Sequence, residues 1–184
     1  YDSTGKKVIS ETKPGFAPTT FEWTTGTETA VGGGGNMPPG LLKKKTEPVA
    51  GTVAAASYAF TTYAYDVKGN LKTMVDPAGK TTTYTYDELG RELTRTETGN
   101  GIPAGAVWAT AYDKLSRPTA VTEPEVTNAV TNTARRLRTD TFYDNNGNVA
   151  MAEHYVPVTV SGGTVTSYAV AQRDRDEYEA LNRS

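Results

Sequence analysis

One short phrase recurs along this chain, and the recurrence constrains the fold more than any other feature. Tyr65-Asp66-Val67-Lys68-Gly69-Asn70-Leu71 returns as Tyr86-Asp87-Glu88-Leu89-Gly90-Arg91-Glu92-Leu93. It returns again as Tyr112-Asp113-Lys114-Leu115-Ser116-Arg117 and as Tyr143-Asp144-Asn145-Asn146-Gly147-Asn148-Val149. Tyr1-Asp2-Ser3-Thr4-Gly5-Lys6 opens the chain with the phrase, and Tyr178-Glu179-Ala180-Leu181-Asn182-Arg183 closes it with a degenerate copy. Internal repeats set architecture ahead of any local propensity. Each unit reads as a strand ending in Tyr, a tight turn and a second strand. The expectation is an all-β repeat array of antiparallel β-hairpins forming a curved β-sheet strip, whose function is that of a built surface rather than of one pocket.

The turn chemistry supports this. Asp66-Val67-Lys68-Gly69, Asp76-Pro77-Ala78-Gly79 and Asp87-Glu88-Leu89-Gly90 place Asp first and Gly fourth, the signature of a type I turn closed by a glycine. Asp66 to Asp76 is 10 residues and Asp76 to Asp87 is 11, which leaves strands of ordinary length between turns. Between the turns, Tyr63 and Tyr65, then Leu71, Thr73 and Val75, then Thr82, Tyr84 and Tyr86 alternate at the period of a half-buried strand. The repeated tyrosines, Tyr65, Tyr86, Tyr112 and Tyr143, are expected to be mostly buried between neighbouring strands.

Composition agrees. The chain has 8 Leu against 31 Thr, 16 Val and 11 Tyr, a balance that fits pleated surfaces and starves a thick core. The net charge of −2 argues against disorder. Cysteine is absent, so disulfides and Cys-based zinc sites are excluded. No apolar run approaches the roughly 20 residues of a membrane helix, so no membrane span is expected. The organisation expected is a partial repeat and strand at 1–23, a Gly/Pro-rich irregular insertion at 24–57, two regular repeats at 58–98, and further repeats with longer insertions at 99–184. Because the phrase stands at both ends, the chain reads as a piece of a longer polypeptide.

The phrase Tyr-x-Tyr-Asp-x-x-Gly-[Arg/Asn]-Leu followed by Asp-Pro-x-Gly resembles the YD repeat of the Rhs family. The resemblance is most specific over Thr61 to Thr98, weaker at 111–118, 142–149 and 178–183, and absent from 16–57. That family includes Rhs toxins, shell components of insecticidal toxin complexes, wall-associated bacterial proteins and teneurins. The resemblance implies β-strips that spiral into part of a hollow YD shell, secreted or on the cell surface, which encloses a toxin cargo or displays a partner. The partners it implies are flanking repeats of the same polypeptide or other copies of the chain. Two alternatives are a filament subunit that grows by β-strand addition and an adhesin that binds a glycan on Trp23 and Trp108. In some family members an Asp-Pro-x-Gly box marks self-cleavage. Asp76-Pro77-Ala78-Gly79 fits an ordinary repeat turn equally well, and no second Asp-Pro follows, so no proteolysis is assigned.

No catalytic, cofactor-binding or metal-binding residue is expected. His154 is the only histidine and reads as a strand residue. Asp140, Asp144, Asn145, Asn146 and Asn148 gather oxygens without the spacing of a calcium loop and read as a polar turn. Glu123 and Glu125 share a strand face but read as solvated rather than as a glycosidase pair. Lys43-Lys44-Lys45 and Arg135-Arg136-Leu137-Arg138 read as solvated faces or guards of strand edges, and a pI near 5.5 speaks against nucleic acid.

Overall fold

The computed structural model describes residues 1–3, 5–50, 57–99, 101–127, 134–161 and 164–175. The closing copy at Tyr178–Arg183 lies outside the described residues. Among those described there is no helix. The strands are β1 (Ser10–Glu11), β2 (Thr19–Trp23), β3 (Leu42–Ala50), β4 (Ser57–Tyr65), β5 (Leu71–Val75), β6 (Thr81–Tyr86), β7 (Glu92–Gly99), β8 (Ile102–Tyr112), β9 (Pro118–Thr122), β10 (Val126–Thr127), β11 (Ala134–Arg135), β12 (Arg138–Tyr143), β13 (Val149–Ser161) and β14 (Thr164–Arg175). Hydrogen bonding follows sequence order from β1 to β9 and continues through β12, β13 and β14, while β10 and β11 pair with each other. The chain is all-β and meanders through successive antiparallel hairpins, as the repeat requires. Contacts divide it into two units, Tyr1–Thr85 with Glu97–Ala104 and Tyr86–Thr96 with Gly105–Ser184.

The turns are the regular part of both units. In each, the first residue's N–H donates to the carbonyl four residues on, and its own carbonyl accepts from the N–H three residues on: Asp66 with Asn70 and Gly69, Asp76 with Lys80 and Gly79, Asp87 with Arg91 and Gly90, Asp113 with Arg117 and Ser116, Asp144 with Asn148 and Gly147. The fourth residue must therefore take a left-handed conformation, and φ is 89° at Gly69, 79° at Gly90 and 91° at Gly147. Strand register slips at Ala64/Tyr65, Ala111/Tyr112 and Phe142/Tyr143, so each of these tyrosines sits on a β-bulge beside its turn. A type I turn followed by such a bulge carries the strand twist that a plain type I turn opposes.

In the first unit, β3 lies between β2 and β4 with Phe21 opposite Lys45, Glu22 opposite Lys44 and Lys45 opposite Thr61. Part of the segment expected to be an irregular insertion, Leu42–Ala50, is thus a regular interior strand. Lysine obscured it: the aliphatic stems lie along the sheet while the ammonium groups reach acids. Residues 24–41 connect β2 to β3 without a strand. Thr24 closes this loop, with its N–H donating to Leu41 O (2.8 Å), its carbonyl accepting from Gly40 N (2.8 Å), its hydroxyl donating to Pro38 O (2.6 Å) and accepting from Leu41 N (2.9 Å). The loop leans on the next turn: Val31 N donates to Tyr65 O, and a Cβ built on Gly35 would stand 3.4 Å from Val67 Cγ1.

In the second unit, β9 pairs with both β8 and β12, and β12 and β13 carry the longer hairpin into β14. Little of either unit is enclosed. The buried apolar side chains among the described residues are Ala17, Ala30 and Met37. Tyr65, Tyr86, Tyr112 and Tyr143 are each largely, though not fully, buried, as expected.

Gly69→Val should lower stability by roughly 1 kcal/mol or more, because a β-branched residue resists positive φ. Urea unfolding of the variant checks this, and an unchanged midpoint would show that the turn does not need its left-handed residue.

Candidate functional site: the contact between repeats

The residues that sequence singles out converge on the turns. Each turn aspartate spends its carboxylate inside its own hairpin. Asp87 Oδ1 accepts from Leu89 N (2.9 Å) and Arg91 N (3.0 Å), and Oδ2 accepts from Arg91 Nε (2.6 Å). Asp113 does the same with Leu115 N (2.8 Å), Arg117 N (2.9 Å) and Arg117 Nε (2.7 Å). In the turns that carry Asn in place of Arg, the amide substitutes: Asn70 Nδ2 donates to Asp66 Oδ2 at 2.9 Å and Asn148 Nδ2 to Asp144 Oδ2 at 3.1 Å. Asp76 binds only backbone, at Ala78 N and Lys80 N, both 2.9 Å.

The arginine then reaches forward to the next Tyr-Asp turn. The Arg91 guanidinium stacks 4.7 Å from the centre of the Tyr112 ring, and Arg91 Nη1 donates to Asp113 O (3.0 Å) and Ser116 Oγ (3.3 Å). The Arg117 guanidinium stacks 4.3 Å from the Tyr143 ring. The tyrosine hydroxyls reach back. Tyr65 OH donates to Leu42 O (2.8 Å), Tyr112 OH to Glu92 O (3.0 Å) and Tyr143 OH to Pro118 O (2.8 Å). In each case the acceptor is the first residue of the neighbouring strand that comes before it in the sheet. Tyr, Asp and Arg of the phrase therefore make a single device that joins one repeat to the next. Ser116, with φ of 64°, is the one non-glycine in a left-handed conformation among the described residues, and its hydroxyl is one of the groups Arg91 grips.

Other cations cover other rings. Arg95 lies 4.1 Å from the Trp108 ring, Lys44 5.0 Å from Phe60, Lys7 5.2 Å from Trp23 and Arg138 5.9 Å from Tyr155. Trp23 also donates its indole N–H to Val8 O at 2.9 Å. The two tryptophans considered as platforms for a glycan thus each have a ring face occupied by a cation. Spacing alone gave no sign of these cross-strand stacks, because the partners are distant in sequence.

The remaining candidates are also engaged. Lys43, Lys44 and Lys45 pair with Glu28, Glu22 and Glu47 on an interior strand, so they do not guard an edge. Glu28 accepts from Thr25 N at 2.9 Å, and that bond together with its own backbone N–H and Lys43 holds its pKa down to about 2. His154 sits on β13 between Thr139 Oγ1 (3.1 Å from Nδ1) and Asp174 Oδ2 (3.0 Å from Nε2). Arg138 pairs with Asp140, and Glu153, nearly buried, accepts from Tyr155 OH and Arg173 Nε, each at 2.6 Å. Asp144 serves its own turn, and no group of three or more His, Cys, Asp or Glu side chains among the described residues could hold a metal ion. Glu123 is fixed through its backbone, N–H to Leu137 O and carbonyl to Arg136 Nε. A groove lined by Glu11, Lys13, Phe16, Phe21, Lys45, Glu47 and Pro48 opens in the first unit, a feature the sequence did not announce.

The turn carboxylates are held below the usual carboxylate range: Asp87 by Arg91 N–H first, Asp113 by Arg117 N–H first, Asp144 by the Asn148 side chain first. For Asp66, partial burial pushes up, and the bonds from Asn70 and Lys68 outweigh it. A depressed folded pKa stabilises fully above the unfolded value of about 4 and loses that contribution as pH falls through the folded one. The melting temperature should therefore fall between pH 5 and pH 2, and Asp113→Asn should flatten that dependence. A pH-independent melting curve in this window would contradict the turn geometry. A second expectation concerns the stack. A double-mutant cycle of Arg117→Met and Tyr143→Leu, read by urea unfolding, should give a coupling of roughly 0.5–1 kcal/mol, and additive losses would mean the ring and guanidinium do not interact.

Comparison with known proteins bears on the repeat itself. Residues 65–102 match the RHS Repeat family. No curated protein sequence matches the chain. Among solved structures it is similar to TcdB2-TccC3-Cdc42 (TM-score 0.46, 15% identity, covering 82% of this chain and 8% of that one). It is similar to TcdB2-TccC3 without its hypervariable C-terminal region (0.46, 15%, 79% and 8%) and to a mutant TccC3 form of the Photorhabdus luminescens Tc holotoxin pore (0.38, 15%, 83% and 10%). The chain spans a tenth or less of the length of each. Over residues 65–102, the stretch that includes the turns at Asp66 and Asp87, this chain carries an RHS repeat.

Proposed function

We propose that this chain is a structural segment of a secreted or cell-surface YD-repeat scaffold, which encloses a toxin cargo or displays a partner and performs no catalysis itself. The observation that carries the reading is the way the phrase uses its chemistry. The turn aspartates bind the turn backbone, with the arginine or asparagine that follows adding a side-chain bond in four of these turns, and the arginines and tyrosines hold the neighbouring repeat. A side chain tied into such a network is a poor nucleophile or base, because moving it breaks the hairpin that positions it.

Open strand edges support an assembled state: β1 and β14 stand at the two ends of the strand order and pair on one side only among the described residues. Flanking repeats of the same polypeptide would pair with them in a shell. Other copies would pair with them in a filament built by strand addition, which is the second reading. No helix among the described residues is long and apolar enough to cross a membrane.

Electron micrographs of the native particle test the proposal. A closed, hollow particle is the expected result. Open fibres would favour the filament. A monomer of 184 residues with one sharp, cooperative unfolding transition would overturn both.

A further inference from the structure

The groove of the first unit is formed by the connection from β1 to β2 and by side chains of β2 and β3. The connection is rigid where it meets the groove. Lys13-Pro14-Gly15-Phe16 closes on a hydrogen bond from Phe16 N to Lys13 O at 3.0 Å, with φ of 82° at Gly15, the type II geometry that Pro-Gly favours. Ala17, next in the chain, is 3% exposed, so the turn is packed against the unit, yet Phe16 is 59% exposed. Phe21 stands opposite Lys45 in the β2–β3 pair, and both line the groove. The groove holds about 480 Å³, within the range of sites that take a small ligand or a few side chains.

Four charges line it. The Lys45 ammonium is satisfied by Glu47 at 2.7 Å. Glu11 and Lys13 are not satisfied: among the described residues neither side chain has a hydrogen-bond or ion-pair partner. The Lys45 pKa is raised by the hydrogen bond to Glu47 first, and the Glu11 carboxylate adds to it, so Glu11 faces the same space. The rings are also open. Lys7 covers Trp23 and Lys44 covers Phe60, but no cation lies over Phe16 or Phe21 among the described residues. An arginine side chain meets both needs, because a guanidinium stacks on a ring face and forks onto a carboxylate. Lys13 calls for an acid beside it. The four charges sum to zero, so an occupant with both signs leaves the filled groove neutral.

We infer that this groove is a docking site for a peptide segment of a partner protein that carries an arginine and an acidic side chain close together. The guanidinium lies against Phe16 and Phe21 and pairs with Glu11, and the carboxylate pairs with Lys13. The groove opens on a face of the sheet, whereas repeats or copies add along its edges. Failure of the inference would therefore leave the scaffold reading intact.

Fluorescence anisotropy of a labelled acetyl-Ala-Arg-Ala-Glu-Ala peptide, titrated with the 184-residue chain at low salt, tests it. Saturable binding with a dissociation constant of about 1 mM or tighter is the expected result. Exchanging the peptide's Arg for Gln, or its Glu for Gln, should weaken binding by about threefold to tenfold. Glu11→Gln and Phe16→Ala should each weaken it by a similar factor, with circular dichroism unchanged because both side chains are exposed. Lys13→Glu should weaken binding of this peptide and strengthen binding of one with Arg at both positions, a reversal that a merely structural role would not produce. No saturation below about 1 mM, equal binding of the Gln-exchanged peptides, tighter binding of an uncharged aromatic peptide, or a Lys13→Glu chain that keeps the parent's preference would each overturn the inference.

Discussion

The hydrogen bonds that a turn aspartate accepts from two backbone N–H groups are what the rest of this structure depends on. They fix the chain direction at Asp66, Asp76, Asp87, Asp113 and Asp144, and they do so locally, within four residues. A hairpin closed this way has its register set before any long-range contact forms. The bulge beside three of these turns places the tyrosine, and the residue after the glycine is then aimed at the neighbouring repeat. Where that residue is Arg, as at 91 and 117, it binds the carboxylate with Nε and still has its guanidinium face free for a ring. An asparagine at 70 or 148 completes the carboxylate but is too short to cross to the next repeat. Arg and Asn at one position of the phrase are thus two different instructions.

Lateral stacking does much of what a hydrophobic interior does elsewhere. Six cation–ring contacts occur among the described residues, where a chain of this length would ordinarily show about two or three. Three apolar side chains among those described are buried. The sheet is held chiefly through its own plane, by strand pairing, tyrosine hydroxyls on backbone carbonyls and cations lying over aromatics. Such a construction can be lengthened by adding repeats, because each repeat's needs are met by its neighbours.

Much of this was legible beforehand because it is local. Asp at one position and Gly three residues later imply a turn and a positive φ, and alternation between turns implies strands. The phrase itself named the tyrosine and the arginine as repeated parts. What each tyrosine hydroxyl bonds was not legible, since alternation says which side chains share a face but not which backbone carbonyl they meet. Nor was β3: Lys43-Lys44-Lys45 is a charge run in sequence, and only the placement of Glu28, Glu22 and Glu47 around it makes it an interior strand.

The sequence by itself determined the hairpins, the all-β class and the identity of the repeating side chains, because each follows from interactions that span a few residues. Only the tertiary structure decided which ring each arginine covers, that Thr24 closes the loop of residues 24–41 onto Pro38 and Leu41, and that the loop leans on the turn at Asp66. Those contacts join residues 14 to 34 positions apart in the chain, and their geometry exists only after the strands between them have paired.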